Sequence, residues 1–328
     1  MFEGLPRSAT ADPNYDPANP LQRAVYDRVI ALWAPGGKPA KAIANLATTF
    51  AVIAQTRRAY LDFVAAHKDG AMAALIRTTA DAFAASFASV DAYFYVSIPE
   101  LAPDGYRRLT DKAQLAKLGV HDGVCLVDDE SGCYSALYAS GEASAAGTRY
   151  IFANRGTDDG FGSITLDHGI QISLSKDFQT SFDQNRGKAT AQYALAIAAA
   201  KAVSDAVAAT HGSLIFAGHS LGGGLASAQA LVTGRRAYVF NPSGLNKATV
   251  GGSLAGAEDR ITAYNYRGNW LDGWQELGWA SPPVGKVVDI DHIRTSFAAR
   301  YNNSSDWHLL NFVIPGMLGM LENQKLQA

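Results

Sequence analysis

The stretch FAGHSLGGGLA, residues Phe216–Ala226, decides how this chain is expected to fold. An apolar run at 213–217 predicts a short buried strand, and residues 221–231 predict a helix. The residues GHSLG (218–222) lie between the two. A sharp turn from strand to helix needs residues without bulk, and glycines stand two positions before and two after Ser220. The pattern therefore predicts a turn that places Ser220 at the edge of a sheet.

A serine on such a turn is a candidate nucleophile. Because a serine hydroxyl is weakly nucleophilic, an enzyme must hold it exposed beside a base. The helix that follows points its first amides toward the same place, so the N–H of Leu221 is expected to donate to an oxyanion. The five-residue pattern is common by itself. The strand before it, the helix after it and the glycines at 222–224 favour a nucleophile over an ordinary turn.

Strands and helices alternate through most of the chain after residue 91. Strands are predicted at 92–98, 123–127, 133–139, 149–153, 213–217, 237–240, 261–266 and 286–290. A long Ala-rich helix is predicted at 187–210, and Leu109-Thr110-Asp111 predicts a short helix capped by Thr110. Such alternation implies an α/β fold whose central sheet is mainly parallel and covered by helices on both faces.

The first 90 residues differ from the rest in composition and hydrophobic pattern. Residues 1–20 carry four prolines and little apolar pattern, which predicts a flexible or loosely docked arm. Residues 21–90 show helical periodicity without a strand signal, so they predict an added helical subdomain, a lid, or both. Residues 91–328 are then the expected catalytic domain.

Composition narrows the class of protein. With 328 residues, of which 48% are apolar and 18% charged, the chain can bury a full core. A net charge of −2 argues against a nucleic-acid partner. The N-terminus lacks the basic-then-apolar order of a secretory signal, so synthesis in the cytoplasm is expected. No ligand spacing or phosphate-binding loop is present, so neither a metal nor a cofactor is expected. Cys125 and Cys133 are expected to be free thiols, with a bridge as the alternative.

Several segments resemble one known family. FAGHSLGGGLA resembles the nucleophile turn of the class 3 lipases and of the related antibacterial phospholipase effectors of type VI and type IV secretion. SGCYSALY (131–138) and TRYIFANRGT (148–157) resemble the family's strand pair that ends in Arg-Gly-Thr. YNYRGNWLDGWQELGWASPPVGKVVDI (264–290) resembles a further strand and the turn after it. The resemblance covers residues 105–318, is absent over 1–90, and implies the α/β-hydrolase fold.

The resemblance also implies a set of site residues. Thr157, at the end of the Arg-Gly-Thr turn, would help to form the oxyanion hole. Triad members in this fold follow the chain order serine, acid, histidine. Two histidines follow the nucleophile, His292 and His308. His308 precedes an apolar helix-like stretch as the family's histidine does, so it is the expected base and His292 the alternative.

The acid of the triad is less clearly marked. The family position falls on Asn269, which carries no charge. Asp272 lies three residues further on and is the expected acid, because a carboxylate can stabilise the protonated histidine. The remaining candidates are Asp289, Asp291 and Asp306.

By resemblance, the chain would hydrolyse a phospholipid or other lipid ester through an acyl-enzyme on Ser220. The tryptophans at 270, 274 and 279 could lie at a lipid–water interface or fill the core. The expected partners are the lipid, a membrane surface, an immunity protein and a component of a secretion apparatus, with action in a target cell's envelope. A carboxylesterase or thioesterase for small soluble esters is an alternative. A binding module that lost catalysis is another, because of Asn269.

Overall fold

The computed structural model describes residues 12, 14–36, 40–157, 163–165, 171–173, 176–278, 280–290 and 310–326. Its helices are α1 (Pro20–Trp33), α2 (Ala40–Ala66), α3 (Gly70–Asp91), α4 (Lys112–Lys117), α5 (Lys176–Asn185), α6 (Ala191–Ala209), α7 (Leu221–Thr233), α8 (Ala257–Arg260), α9 (Trp270–Glu276) and α10 (Leu310–Glu322). Its strands are β1 (Arg107–Arg108), β2 (Val127–Asp128), β3 (Cys133–Ala139), β4 (Arg149–Asn154), β5 (Ser163–Thr165), β6 (Gln171–Ser173), β7 (Ser213–His219), β8 (Arg236–Phe240), β9 (Ile261–Tyr266) and β10 (Lys286–Ile290).

A mainly parallel sheet forms the centre of the molecule. Its strand order is β1-β3-β4-β7-β8-β9-β10, and β2 also pairs with β3. The strands from β4 to β10 in this order run parallel, whereas β1, β2 and β4 each pair antiparallel with β3. This topology confirms the α/β-hydrolase arrangement that the sequence predicts.

Helices cover both faces of the sheet. Along β7, Ile215 and Ala217 join the core that contains α1, α2, α3 and α10. Leu214 and Phe216 face the other way and pack with α6 and α7. This alternation follows from the two-residue period of a strand. The N-terminal helices thus share one hydrophobic core with the sheet, and α3 packs directly against β4, β7 and β8.

The described residues before α1 are also in contact with this core. The backbone N–H of Asp12 donates to Thr48 Oγ1 on α2, and its carboxylate accepts from Asn311 Nδ2 on α10. No helix in the described ranges is long and apolar enough to cross a bilayer. Cys125 and Cys133 are free thiols, and burial raises the pKa of Cys133 to about 12.

The strand predicted at 92–98 is wrong, because this segment forms turns and bends. Phe94 packs under the turn instead and stacks on Trp33 of α1, with ring centroids 5.0 Å apart. Arg108 Nη1 donates to the carbonyl of Phe94 at 2.6 Å. The aromatic composition of the segment therefore reflects packing against helices and not pairing with a strand.

Other boundaries differ by smaller amounts. Asp111, and not Thr110, caps α4, since its side chain accepts from Gln114 N at 2.8 Å. The predicted strand at 123–127 shortens to β2. The long helix begins at Ala191 behind a Thr190 cap, so the Gly187 start is wrong.

Asp91 is a fully buried carboxylate that joins α3 to the sheet. It accepts hydrogen bonds from Tyr138 Oη (2.8 Å), Ser97 Oγ (2.9 Å) and Ile98 N (2.8 Å). Arg108 lies 3.7 Å away. Burial raises the pKa of Asp91 above its ordinary value. The three hydrogen bonds fix the turn at 92–98 beneath the edge of the sheet.

Replacing Asp91 by Ala is expected to lower the free energy of unfolding by about 3 kcal/mol, because buried donors lose their acceptor. Asp91→Asn retains part of the bonding and should cost less. Since the raised pKa means that the folded state binds the proton more tightly, wild-type stability should fall as pH rises above about 3.8, the unfolded value, through the folded pKa. Denaturant titrations across this range measure both effects, and an Asp91→Asn variant with an unchanged pH dependence would contradict the assignment.

Candidate active site

Ser220 lies at the end of β7, in the turn before α7. Its backbone has φ +57° and ψ −123°, a conformation that is strained for any residue with a side chain. The surrounding chain holds it there. Its N–H donates to the carbonyl of Phe240 at 3.1 Å, and its carbonyl accepts from the N–H groups of Gly223 and Ser243, both at 2.9 Å. The strand–turn–helix predicted around Ser220 is therefore confirmed.

The flanking glycines are required by close approach of the backbone. A Cβ on Gly218 would lie 2.7 Å from the nitrogen of Gly223 and would overlap the carbonyl of Gly222. A Cβ on Gly222 would lie 2.9 Å from the carbonyl of Arg155 and would overlap that of Asn154. Backbone atoms cannot rotate out of the way as a flexible side chain can. The two glycines therefore let the turn and α7 pack directly on β4.

Gly222→Ala and Gly218→Ala are each expected to lower the free energy of unfolding by about 3 kcal/mol or more, as overpacking against rigid backbone does. Gly273, inside α9, is the matched control, because a Cβ there would meet nothing within 4 Å. Gly273→Ala should be neutral or slightly stabilising, since Ala favours a helix. Denaturant unfolding of the three variants checks this, and equal stability of all three would contradict it.

The Arg-Gly-Thr turn lies directly beside the serine turn. Asn154, the last residue of β4, pairs with Gly218 of β7, so both chains leave the sheet at the same edge. A Cβ on Gly156 would lie 2.6 Å from the carbonyl of His219. Thr157 follows and is partly exposed, while Leu221 begins α7. The fold thus brings Thr157, Leu221 and Ser220 to one edge.

His219, inside the serine turn, contacts a tyrosine from the N-terminal half of the chain. Its Nδ1 lies 2.8 Å from Tyr93 Oη. The same hydroxyl occupies the place that a Cβ of Gly156 would take. Tyr93 therefore touches both turns at the sheet edge, which explains why position 156 is a glycine.

Asp272 lies in the first turn of α9, just after β9. Asn265 Nδ2 donates to its Oδ1 at 2.8 Å, and the N–H of Gly268 donates to its Oδ2 at 2.9 Å. The side chain is buried. These two bonds fix the orientation of the carboxylate at the end of the second strand beyond β7 in the sheet.

Asn269 and Asp289 have other partners. Asn269 caps α9: its Oδ1 accepts from Leu271 N at 3.0 Å, and its Nδ2 donates to the carbonyl of Tyr266 at 2.9 Å. Asp289 is exposed on β10 and forms a bidentate ion pair with Arg267 at 2.7 and 2.9 Å.

Comparison with known proteins identifies the family. A family model described as phospholipase-like, for the Tle-like phospholipase domain, matches residues 84–295, well over half of the chain. The chain belongs to the Tle-like phospholipase family. The match begins inside α3 and takes in Thr157, Ser220 and Asp272. It confirms the family resemblance that the sequence shows.

The Tle-like chain is also similar to a protein named extracellular phospholipase A1 from Serratia liquefaciens. The two are 35% identical over 146 residues, which is 44% of this chain and 38% of the relative. The chain thus matches well under half of that relative's length.

Several predicted residues of this Tle-like phospholipase lie outside the described residues. These are His292, His308, Asp291, Asp306 and Trp279. Helix α10 begins at Leu310, two residues after His308, and packs against β9 and β10. Within the described ranges, no group of His, Cys, Asp and Glu is arranged to hold a metal ion.

Three residues at the site of this Tle-like phospholipase are not found by sequence reasoning: Tyr93, Ser243 and Asn265. Asn265 and Ser243 each come at or just after the carboxyl end of a parallel strand, a position at which polar residues often serve a site. That signal could have found them. Tyr93 has no comparable signal, because its partner His219 is more than 120 residues away along the chain.

Proposed function

We propose that this Tle-like phospholipase hydrolyses fatty-acyl ester bonds of phospholipids through an acyl-enzyme on Ser220. The observation that carries the proposal is the strained backbone of Ser220 at the end of β7. Strain of this kind persists only where the surrounding structure imposes it, and it is typical of functional residues. The Tle-like family match and the similarity to a protein named phospholipase A1 support a phospholipid as the substrate.

The reaction divides hydrolysis into two steps. The Oγ of Ser220 attacks the ester carbonyl carbon while His308 accepts its proton. The tetrahedral intermediate collapses, the C–O bond to the glycerol breaks, and the proton on His308 goes to the departing lysophospholipid alkoxide. Water then attacks the acyl-enzyme by the same route and releases the fatty acid.

Thr157 and Leu221 are proposed to stabilise the oxyanion. The N–H of Leu221 is the first of α7, where the helix dipole favours negative charge. Thr157 reaches the same edge because Gly156 packs against the carbonyl of His219. The proximity of the two turns supports this pair of donors.

Asp272 is proposed as the acid that orients His308. Its carboxylate accepts two hydrogen bonds, and an ionised carboxylate has about four acceptor sites, so it can still accept from an imidazole N–H. The cap formed by Asn269 and the ion pair formed by Asp289 favour Asp272 over these two alternatives.

Incubation with phosphatidylethanolamine and phosphatidylglycerol vesicles tests the function. The products expected are a free fatty acid and a lysophospholipid, and mass spectrometry of both identifies the acyl position that is cut. Hydrolysis of short soluble esters without fatty acid release from vesicles would show an esterase or thioesterase instead. Failure of a fluorophosphonate probe to label Ser220, with no hydrolysis of either class of ester, would favour a binding protein.

We further propose that the enzyme acts in the envelope of a target cell after delivery by a secretion apparatus, and that the producer makes an immunity protein against it. The Tle-like family match and the word extracellular in the name of the relative support this role. Expression in a bacterial host should arrest growth when the enzyme is directed to the periplasm and Ser220 is intact. If cells with the wild-type enzyme in the periplasm grew as well as cells with the Ser220→Ala variant there, the proposal would be contradicted.

A further inference from the structure

Large apolar side chains are exposed at only a few of the described positions: Leu32, Tyr95, Val96, Val127, Leu277 and Val287. Tyr95 is 64% exposed, Val96 61% and Val127 43%. The Tyr95 ring meets the buried ring of Tyr134 edge-on, with centroids 4.9 Å apart. Val127 is the cross-strand partner of Tyr134 in the β2–β3 pair, so their side chains share a face. We call Tyr95, Val96 and Val127 the apolar tip.

The chain on both sides of Tyr95 and Val96 is held by hydrogen bonds. The carbonyl of Phe94 accepts from Arg108 Nη1 at 2.6 Å and from Tyr134 Oη at 3.2 Å. On the other side, the Asp91 carboxylate accepts from Ser97 and Ile98. The two exposed residues are therefore presented by a fixed turn, so little conformational entropy is lost when they bind a surface.

The apolar tip lies at the same edge of the molecule as the nucleophile. Tyr93, two residues before Tyr95, contacts His219, the neighbour of Ser220. The carbonyl of Tyr134 accepts from the N–H of Arg155 at 2.9 Å, at the start of the Arg-Gly-Thr turn. A surface that covers the apolar tip would thus meet the edge that carries the turn of Ser220, whose side chain is buried just beneath it.

We propose that the apolar tip enters the surface of a phospholipid bilayer and brings Ser220 to its substrate. This inference rests on the proposed function. Three side chains are far too small for a stable protein interface, which needs about 800 Å² on each partner. Tyrosine with aliphatic neighbours is suited to the boundary between headgroups and acyl chains.

The charges next to the apolar tip indicate how it binds. The turn that follows Val127 carries Asp128, Asp129 and Glu130, of which the last two are exposed. Two cations lie nearby, but each is held by the protein: Lys176 Nζ donates to the carbonyl of Asp129 at 2.9 Å, and the buried Arg155 lies over the ring of Tyr134. The exposed carboxylates repel anionic headgroups, so docking should not depend on attraction between charges. Binding should depend on burial of apolar surface, and it should change little with salt concentration.

Vesicle co-sedimentation in a Ser220→Ala background tests the inference, because binding is then measured without hydrolysis. The test variants are Tyr95→Ser/Val96→Ser together and Val96→Asp alone. Val287→Ser is the matched control. Val287 is also 43% exposed, but it lies near the start of β10, on the face opposite to the core residues Val288 and Ile290. Thermal melting of each variant checks that it is folded.

Both test variants should bind phosphatidylcholine vesicles about tenfold more weakly or worse, as loss of one to two buried apolar side chains implies. The control should bind like the parent, at low and at high salt. Equal binding by the test variants, or binding to phosphatidylglycerol vesicles alone that is lost at high salt, would overturn the inference. The proposed function is tested separately, by fatty acid release from vesicles with the active enzyme. Release or its absence can occur whether or not the test variants lose binding, so the two proposals can fail independently.

Discussion

Ser220→Ala is expected to lower kcat/KM for phospholipid hydrolysis on the order of 10⁵-fold. The reason is that Oγ is the proposed nucleophile, which would form the covalent bond to the acyl group. The loss corresponds to about 7 kcal/mol of transition-state stabilisation. The backbone strain at position 220 arises from the Cβ, which Ser and Ala share. Ser220→Ala should therefore keep the fold, and the melting temperature should change little.

Ser227 supplies the control for this variant. It is a buried serine of α7 whose hydroxyl donates to the carbonyl of Gly223 at 2.8 Å, away from the turn. Ser227→Ala should retain most of the activity and should still react with a fluorophosphonate probe, which Ser220→Ala should not. Activity that survives in Ser220→Ala, with labelling of another serine, would refute the nucleophile.

Asp272→Asn is expected to lower kcat by about 10³-fold to 10⁴-fold. An amide can hold the imidazole in place, but it supplies no negative charge for the imidazolium that forms in the transition state. The two carboxylate oxygens of Asp272 accept hydrogen bonds from Asn265 and Gly268, and Asn would replace one of these oxygens by an NH₂ group. A modest loss of stability is therefore expected as well. Steady-state kinetics on vesicles measure the first effect, and thermal melting the second.

Two variants separate Asp272 from its alternatives. Asp289→Asn removes only an exposed ion pair with Arg267, so it should change activity less than twofold and stability by roughly 1 kcal/mol at most. Asn269→Asp keeps the helix cap, since Asp caps as well as Asn. Added to Asp272→Asn, it should not restore activity. If the double variant regained activity, a carboxylate at position 269 could serve as the acid, which would contradict the choice of Asp272.

Much of the fold follows from local pattern. The strands at β3, β4, β8, β9 and β10 were predictable because apolar and β-branched runs bounded by turn residues have few alternatives. The turn at Ser220 was predictable for a different reason. Its glycines are required by backbone contacts within the turn and with Asn154, the last residue of β4, and Arg155 just after it. The alternation of strands and helices predicted a mainly parallel sheet, and the structure supplied the order of its strands.

Segment 92–98 shows where local pattern fails. Its aromatic residues have the composition of a strand, but Phe94 packs on Trp33 and Tyr93 reaches His219, contacts that no local rule contains. The same limit applies to the choice among the acids. By sequence Asp272 is the expected acid, but sequence alone does not show that Asn269 caps α9 or that Asp289 pairs with Arg267.

The sequence by itself determined the glycine-flanked turn at Ser220, the parallel α/β arrangement and the family, because each depends on residues close together along the chain. Only the tertiary structure decided that the N-terminal helices share the core of the sheet, and that Asn265 and Gly268 hold Asp272. It alone placed the ring of Tyr95 against Tyr134, the cross-strand partner of Val127. These features depend on contacts between distant segments, and such contacts are selected by the packing of the whole core.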